Sequence, residues 1–216
     1  MAYRRDRAIV LRKETVRDFD RRYTLYGRDH GFCVAFARGT ARPTSRQAGH
    51  LEPFSEVDVM IASGQYTDHL AVAKQVSFFH LTGFQSSLFV GRFCDLVCHM
   101  VRPGVSDDRL FNLLLEVRSV SRVFPDECTS SRLRFLFAGA SFKLLDILGY
   151  SPLMKGTESE IRILRLLRFG SLHDALRLTA ERDLLDRVAE YIEYELYSTY
   201  LDQDFQGAAL FASYLS

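Results

Sequence analysis

The chain has 216 residues, 47% apolar and 25% charged, with a formal net charge of +1. That balance excludes a disordered tail, a collagen-like rod and a disulfide-stapled miniprotein, and a chain this long buries about 70% of its extended surface without a metal or disulfide staple. Four Cys without regular spacing argue against a secreted framework. The apolar run Ala8–Leu11 is too short for a signal-peptide core, and the uncharged stretch Gln75–Gly91 carries His80, Gln85 and three Ser, which excludes a membrane span. The expectation is a soluble, cytoplasmic protein.

The small net charge hides an asymmetry. Residues 1–50 hold twelve Lys or Arg against five Asp or Glu, a net of +7, whereas residues 181–216 hold two against eight, a net of −6. Only four of the 28 basic residues are Lys. A basic front rich in Arg suits polyanions, because the planar guanidinium pairs with phosphate and stacks on bases.

In chain order, residues 7–12 and 22–26 are short apolar runs that predict two strands, separated from a third by the turn Asp29-His30-Gly31. Phe32, Val34 and Phe36 then alternate with Cys33, Ala35 and Ala37; Val57, Val59 and Ile61 alternate with Asp58 and Met60; Leu70, Val72 and Val76 follow the hairpin signal Ser63-Gly64-Gln65. Period-two alternation marks strands, and five short strands in about eighty residues suit a small closed barrel. The connection from Arg38 to Gly49 carries Arg38, Arg42 and Arg46, no acid and no large apolar residue, so it reads as a basic loop.

Beyond residue 80 the period becomes helical. Ser86 or Ser87 is expected to cap a first helix, Asp107 a second, Ser130 or Ser131 a third that stops at Gly149 and Pro152. Thr157 and Glu160 have capping-box spacing for a fourth, a short helix spans 172–178, and a last one runs from about Glu181 to Leu201. The predicted fold is α+β: a small closed N-terminal barrel over residues 1–80, then an all-α helical domain over 81–216.

Nothing in the chain has the glycine pattern of a phosphate-binding loop or a dinucleotide fold. Cys94, Cys98 and His99 share a helical stretch, but two thiols and a neighbouring His do not complete a four-ligand zinc site; they read as core. The pairs Asp18/Asp20 and Asp202/Asp204 lack the further acidic ligands of two-metal chemistry, and a hydrolase built on them is the weakest of three functional readings. The basic front is the strongest: Arg21, Arg22, Arg28, Arg38, Arg42 and Arg46 are interleaved with Tyr23, Tyr26, Phe32 and Phe36, and basic grooves with stacking rings hold single strands. The third reading is a non-catalytic interaction scaffold that bridges other proteins and has weak nucleic-acid affinity of its own.

Four stretches taken in order sharpen this: Ala8-Ile9-Val10-Leu11-Arg12; Tyr23 to Gly31; Ala37-Arg38-Gly39-Thr40-Ala41-Arg42-Pro43-Thr44-Ser45-Arg46; and Gly49-His50-Leu51-Glu52-Pro53-Phe54. Together with Leu144 to Pro152 they resemble the RecO family of bacterial recombination mediators over roughly residues 5–155. The resemblance implies that the N-terminal barrel is an OB-fold, and that the protein is non-enzymatic, nucleoid-associated and without a resident cofactor. Its expected activities are binding of single- and double-stranded DNA, strand annealing in the RecF pathway of recombinational repair, contact with RecR and with the tail of the single-stranded-DNA-binding protein, and help in loading RecA. The DNA-contacting residues it implies are Arg21, Arg22, Tyr23, Arg28, Arg38, Arg42, Ser45 and Arg46; Arg132 and Arg134 are the candidates for the partner tail. Three stretches depart from the family pattern: Ala41 and Thr44 stand where bases are usual, residues 153–163 lack the family's four Cys, and residues 200–204 are acidic. The expectation is therefore a protein that folds without zinc.

Overall fold

The computed structural model describes residues 2–40, 42, 48–77, 79, 83–123 and 129–199. They group into two compact units, residues 1–80 with 101–111 and residues 81–100 with 112–216.

The first unit is built on five strands: β1 (Tyr3–Thr15), β2 (Arg21–Gly27), β3 (Gly31–Ala37), β4 (Glu56–Ala62) and β5 (Asp68–Ser77). They form a closed barrel in the order β1-β2-β3-β5-β4, with β1 antiparallel to β4. β3 meets β5 in parallel through Ala35↔Asp68 and Phe36↔His69. This is the OB topology. It requires β1 to pair on both sides, with β4 through residues 3–9 and with β2 through residues 8–15. The bend comes from a register shift between Val10 and Arg12, which leaves Leu11 without an opposite residue on β2; a bulge of this kind sharpens strand twist and bending. β1 is accordingly longer than the apolar run 7–12 suggests, because its charged ends are held by the ladder and by ion pairs at Arg4–Asp68 and Arg7–Glu56.

Ala8, Val10, Tyr23, Leu25, Ala35, Ala37, Leu51, Val57, Val59, Ile61, Leu70 and Ala73 fill the barrel interior. In β3 and β4 the alternation read from the sequence places one face inward, as the pleat demands; in β5 a register shift opposite Met60 and Ile61 turns Leu70 and Ala73 inward and leaves Val72 45% exposed. Leu51 and Phe54 close the barrel floor, both fully buried. Ser55 N–H donates to the Glu52 carbonyl at 3.0 Å, closing a turn with Pro53 second and Phe54 third. Phe54 sits at φ +64°, a conformation that this turn demands and that an aromatic residue adopts only when packing compels it. Here its ring meets Phe79 edge-on, centroids 5.4 Å apart.

The β2–β3 turn is organised by a buried acid. The Asp6 carboxylate accepts the backbone N–H groups of Asp29 and His30, each at 3.0 Å, and contacts His30 Nδ1 at 3.0 Å. Residues 101–111 add to the same unit: Gly104 N–H donates to the Phe32 carbonyl at 3.4 Å, and the Tyr26 hydroxyl accepts the Asp107 N–H at 3.0 Å. Gly31, at φ +67°, has the Val105 carbonyl where a Cβ would stand, at 2.1 Å, so no larger residue fits that turn.

The second unit is helical: α1 (Phe84–Met100), α2 (Asp108–Arg122, its first four residues grouped with the barrel), α3 (Ser130–Ile147), α4 (Glu158–Phe169), α5 (Leu172–Arg177) and α6 (Arg182–Thr199). α3 is its centre, packing on α1, α4, α5 and α6. The closest approach is at Gly139, where a Cβ would come within 2.8 Å of Leu167 Cδ2. The capping box of Thr157 and Glu160 forms, and Gly149 takes φ +87° just past α3. Asp107 caps α2 by accepting the Arg109 N–H at 2.7 Å.

Two caps differ from expectation. α1 starts at Phe84, ahead of both Ser; Ser86 is buried and donates to the Ser121 carbonyl at 3.0 Å, while Ser87 donates back to the Gly83 carbonyl. α3 is capped by Thr129, whose side chain accepts the Arg132 N–H, rather than by Ser130 or Ser131. Helical Ser spends its hydroxyl on an upstream carbonyl or a tertiary partner, which the linear pattern does not reveal.

Candidate nucleic-acid interface

One end of the barrel gathers three connections: the β1–β2 loop (residues 16–20), the start of the β3–β4 connection (38–42) and the β4–β5 loop (63–67). A cavity of about 160 Å³ lies there, lined by Val16, Arg17, Asp20, Phe36, Ala37, Arg38, Thr67 and His69. The β1–β2 loop is a tight turn in which Val16 N–H and Arg17 N–H both meet the Asp20 carbonyl. Its Asp20 side chain reaches across to accept the Gly39 N–H at 2.9 Å. Gly39 takes φ +67°, Arg42 N–H closes the turn onto the Gly39 carbonyl at 3.1 Å, and buried Thr40 donates to the Ala37 carbonyl. The Arg42 guanidinium then lies 5.3 Å from the centroid of the Phe19 ring. Two loops are joined at two points, one polar and one through a ring face, and the arginines are held at the cavity mouth.

The predicted DNA-contacting residues divide sharply. Arg38 and Arg42 are exposed at this end, and neither has a carboxylate partner among the described residues. Arg21, opposite Ala37 in the ladder, donates to the Thr15 hydroxyl at 3.4 Å. Arg22 instead forms a two-bond pair with Glu14, at 3.0 and 2.9 Å, and that pairing holds the Glu14 carboxyl below the usual range. Arg28 pairs with Asp108 at 3.3 Å and sits 5.9 Å from the centroid of Phe111. Ser45 and Arg46, with Ala41 and Thr44, lie outside the described residues, as do Asp202 and Asp204.

Tyr23 corrects the expectation of a stacking ring. It is 0% exposed, one of the residues filling the barrel, and burial raises its hydroxyl pKa above the ordinary tyrosine value. Tyr26 is equally buried and Phe32 nearly so. Period-two strands alternate inward and outward faces, and here both faces of β2 are covered, so its rings cannot meet a ligand. Phe36 alone of the four aromatics predicted to stack lines the cavity. Among the described residues of the barrel, the rings that face solvent are Phe19, 47% exposed, Tyr66, 89% exposed beside Thr67, and Tyr3 at the start of β1, 61% exposed. None was singled out from the sequence; for Phe19 and Tyr66 the available signal was an aromatic side chain inside a polar turn, Asp18-Phe19-Asp20 and Gln65-Tyr66-Thr67. Arg17 and His69 were missed for the same reason. Asp20, of the Asp18/Asp20 pair, is the tether of the basic loop.

Arg132 and Arg134 are also corrected. Arg132 donates to the carbonyls of Leu176 and Leu178, both at 2.7 Å, so it closes the end of α5. Arg134 grips Glu193 of α6, with Nε at 2.9 Å from Oε1, and only 20% of its side chain is exposed. Arg134 is neutralised inside the helical unit, whereas Arg132 keeps its charge while one of its nitrogens is spent on backbone carbonyls. Cys94 is buried in α1 and Cys98 partly so, and no cluster of three or more His, Cys, Asp or Glu among the described residues is placed to hold a metal ion. No described helix is long and apolar enough to cross a membrane.

The barrel is of the five-stranded OB class, whose oligonucleotide-binding members use the β1–β2 and β4–β5 loops; here those loops present Arg17, Phe19 and Tyr66. Residues 1–80 match the family described as Recombination protein O N terminal, which places that segment in the RecO family. It is similar to proteins named DNA repair protein RecO. With that of Rubrobacter xylanophilus it is 32% identical over 163 residues, 72% of this chain and 61% of the relative. With that of Desulforudis audaxviator it is 29% identical over 147 residues, 67% of this chain and 56% of the relative. With that of Bifidobacterium animalis subsp. lactis it is 42% identical over 77 residues, 36% of this chain and 32% of the relative. The chain spans little more than half the length of the curated relatives it matches most extensively.

Proposed function

We propose that the chain acts in DNA repair as a non-catalytic DNA-binding protein whose barrel captures single strands and assists their annealing. The observation that carries this reading is the set of uncompensated guanidinium groups at Arg17, Arg38 and Arg42 beside the exposed rings of Phe19 and Tyr66, all on the loop end of an OB barrel. Guanidinium groups take phosphates without reading sequence, and each ring offers a face to one unpaired base. A base inside a duplex has no free face, so rings on loops favour single strands over double-stranded DNA. Double-stranded DNA, the single-stranded-DNA-binding protein, RecR and RecA are partners that the family resemblance suggests; of the two arginines expected to meet the partner tail, Arg134 is already paired with Glu193.

A second reading, a scaffold with weak DNA affinity, draws on one observation: Arg4, Arg7, Lys13, Arg22 and Arg28 of the basic front are neutralised by carboxylates. Oligonucleotide binding across a salt series separates the two. Arg38→Ala with Arg42→Ala is expected to lower the log–log salt slope by about 0.7 for each phosphate no longer neutralised, and Tyr66→Ala to weaken binding by about 1–3 kcal/mol if it stacks on one base. Unchanged affinity and slope in the double variant would leave the scaffold reading standing.

A further inference from the structure

The helical unit carries arginines of two kinds. Arg132, Arg134, Arg168, Arg182 and Arg187 all meet carbonyl or carboxylate oxygens of their own unit. Arg162 and Arg165 on α4 are exposed and, among the described residues, have no such partner. Glu158, one turn before Arg162, is the nearest acid along the same face, and it too makes no ion pair with them among the described residues. At 100° per residue, positions 158, 162, 165 and 169 fall on one stripe of the helix. The stripe ends at Phe169, 76% exposed. The Arg168 guanidinium, itself paired with Asp146, lies 5.6 Å from the centroid of that ring and occupies one side of it.

From this we infer that the exposed face of α4 is a second single-strand contact, in which Arg162 and Arg165 take successive phosphates and Phe169 stacks on a base. The inference rests on the reading that the chain binds nucleic acid, and it adds a site separate from the barrel. The two guanidinium groups start about 4.5 Å apart along the axis and Phe169 about 6 Å further on, at 1.5 Å per residue; their long side chains can spread to follow a strand. A flat ring backed by a cation is the feature that favours a nucleic acid, because a base can add to the open side of the stack. An acidic peptide would use the charges and leave the ring without a partner of that shape. Two binding sites on one chain also give a strand longer than a single barrel's site, roughly 4–16 nucleotides, a second place to bind.

The test uses the full chain and a fluorescent oligothymidylate longer than one barrel's site. Arg162→Glu with Arg165→Glu is expected to flatten the salt slope by about 1.4, two phosphates at about 0.7 each, and Phe169→Ala to weaken binding about tenfold. Ultraviolet cross-linking of the wild type should attach the oligonucleotide to the peptide that contains Phe169. All three side chains are exposed, so the melting temperatures should match the wild type, and Arg162→Gln with Arg165→Gln repeats the measurement with a milder change. The barrel variant Arg38→Ala/Arg42→Ala is run in parallel. If it loses affinity while the α4 variant keeps both affinity and slope, the α4 site is refuted and the barrel reading survives. A wild type that binds no oligonucleotide refutes both. Loss of poly-glutamate binding with unchanged oligonucleotide binding would assign the stripe to an acidic protein partner and overturn the inference.

Discussion

Asp6 holds the β2–β3 turn, and its removal should cost more than any surface substitution in the barrel. Its side chain is 4% exposed and accepts two backbone N–H groups, from Asp29 and His30, besides contacting the His30 ring. A hydrogen bond to a charged acceptor contributes about 1.5–3 kcal/mol, so the two backbone bonds bound the loss at about 3–6 kcal/mol in Asp6→Ala. Residues 28–30 are exposed, and water can reach part of the released donors, which places the expected cost near about 3 kcal/mol. For a unit made of residues 1–80 and 101–111 that is a fall of about 12–24 °C in the barrel's melting temperature. Asp6→Asn keeps one acceptor oxygen and should lose less. Gly27→Ala should act in the same direction, because its Cβ would stand 2.0 Å from Asp6 Oδ2. Calorimetry resolves the barrel transition from that of the helical unit, and amide exchange should show reduced protection at residues 27–31. Asp18→Ala, on the exposed β1–β2 loop, is the control, expected within about 0.5 kcal/mol of wild type. An Asp6→Ala protein within that same margin would refute the view that the carboxylate organises the turn.

Asp20→Ala should lower oligonucleotide affinity although it removes a negative charge beside the cavity, because it frees the Gly39 N–H and with it the placement of Arg38 and Arg42; tighter binding would show that Asp20 acts through charge rather than position. Tyr197, pushed up to about 12 chiefly by burial, should stay protonated in the folded protein while the unfolded chain ionises near 10. Its contribution is constant below pH 10 and declines from there towards pH 12; a phenolate absorbance titration in which every tyrosine ionises near 10 in the folded state would contradict this. Elemental analysis should find no stoichiometric zinc, and a chelator should leave the melting temperature unchanged; one tightly bound zinc per chain would refute folding without metal.

Period-two alternation in residues 32–37 and 57–61, the capping box at Thr157 and the stop at Gly149 were all legible in the sequence, because each is a local rule of backbone geometry or side-chain spacing. So were a small closed barrel, from five short strands, and the location of charge in the first fifty residues; the OB class came from the family resemblance, and the alternation expected at 70–76 is broken by a register shift against β4 that leaves Val72 exposed. What the linear pattern could not decide was which of those charges stay available. Arg22 is neutralised by Glu14 across the ladder, while Arg38 is left open, and the difference depends on strand register. Nor could it tell buried rings from presented ones. Tyr23 and Tyr26 sit among arginines in the sequence yet are covered on both faces of β2, whereas Phe19 and Tyr66 face solvent from turns. The Asp6 clamp spans 23 and 24 residues and the Asp20 tether 19; Arg134 meets its partner 59 residues away. Periodicity carries information over a few residues along one element. Ion pairing and burial are settled only when barrel closure and helix packing bring distant segments together, so the sequence determined the fold and its charge, and the tertiary structure chose the residues that meet a ligand.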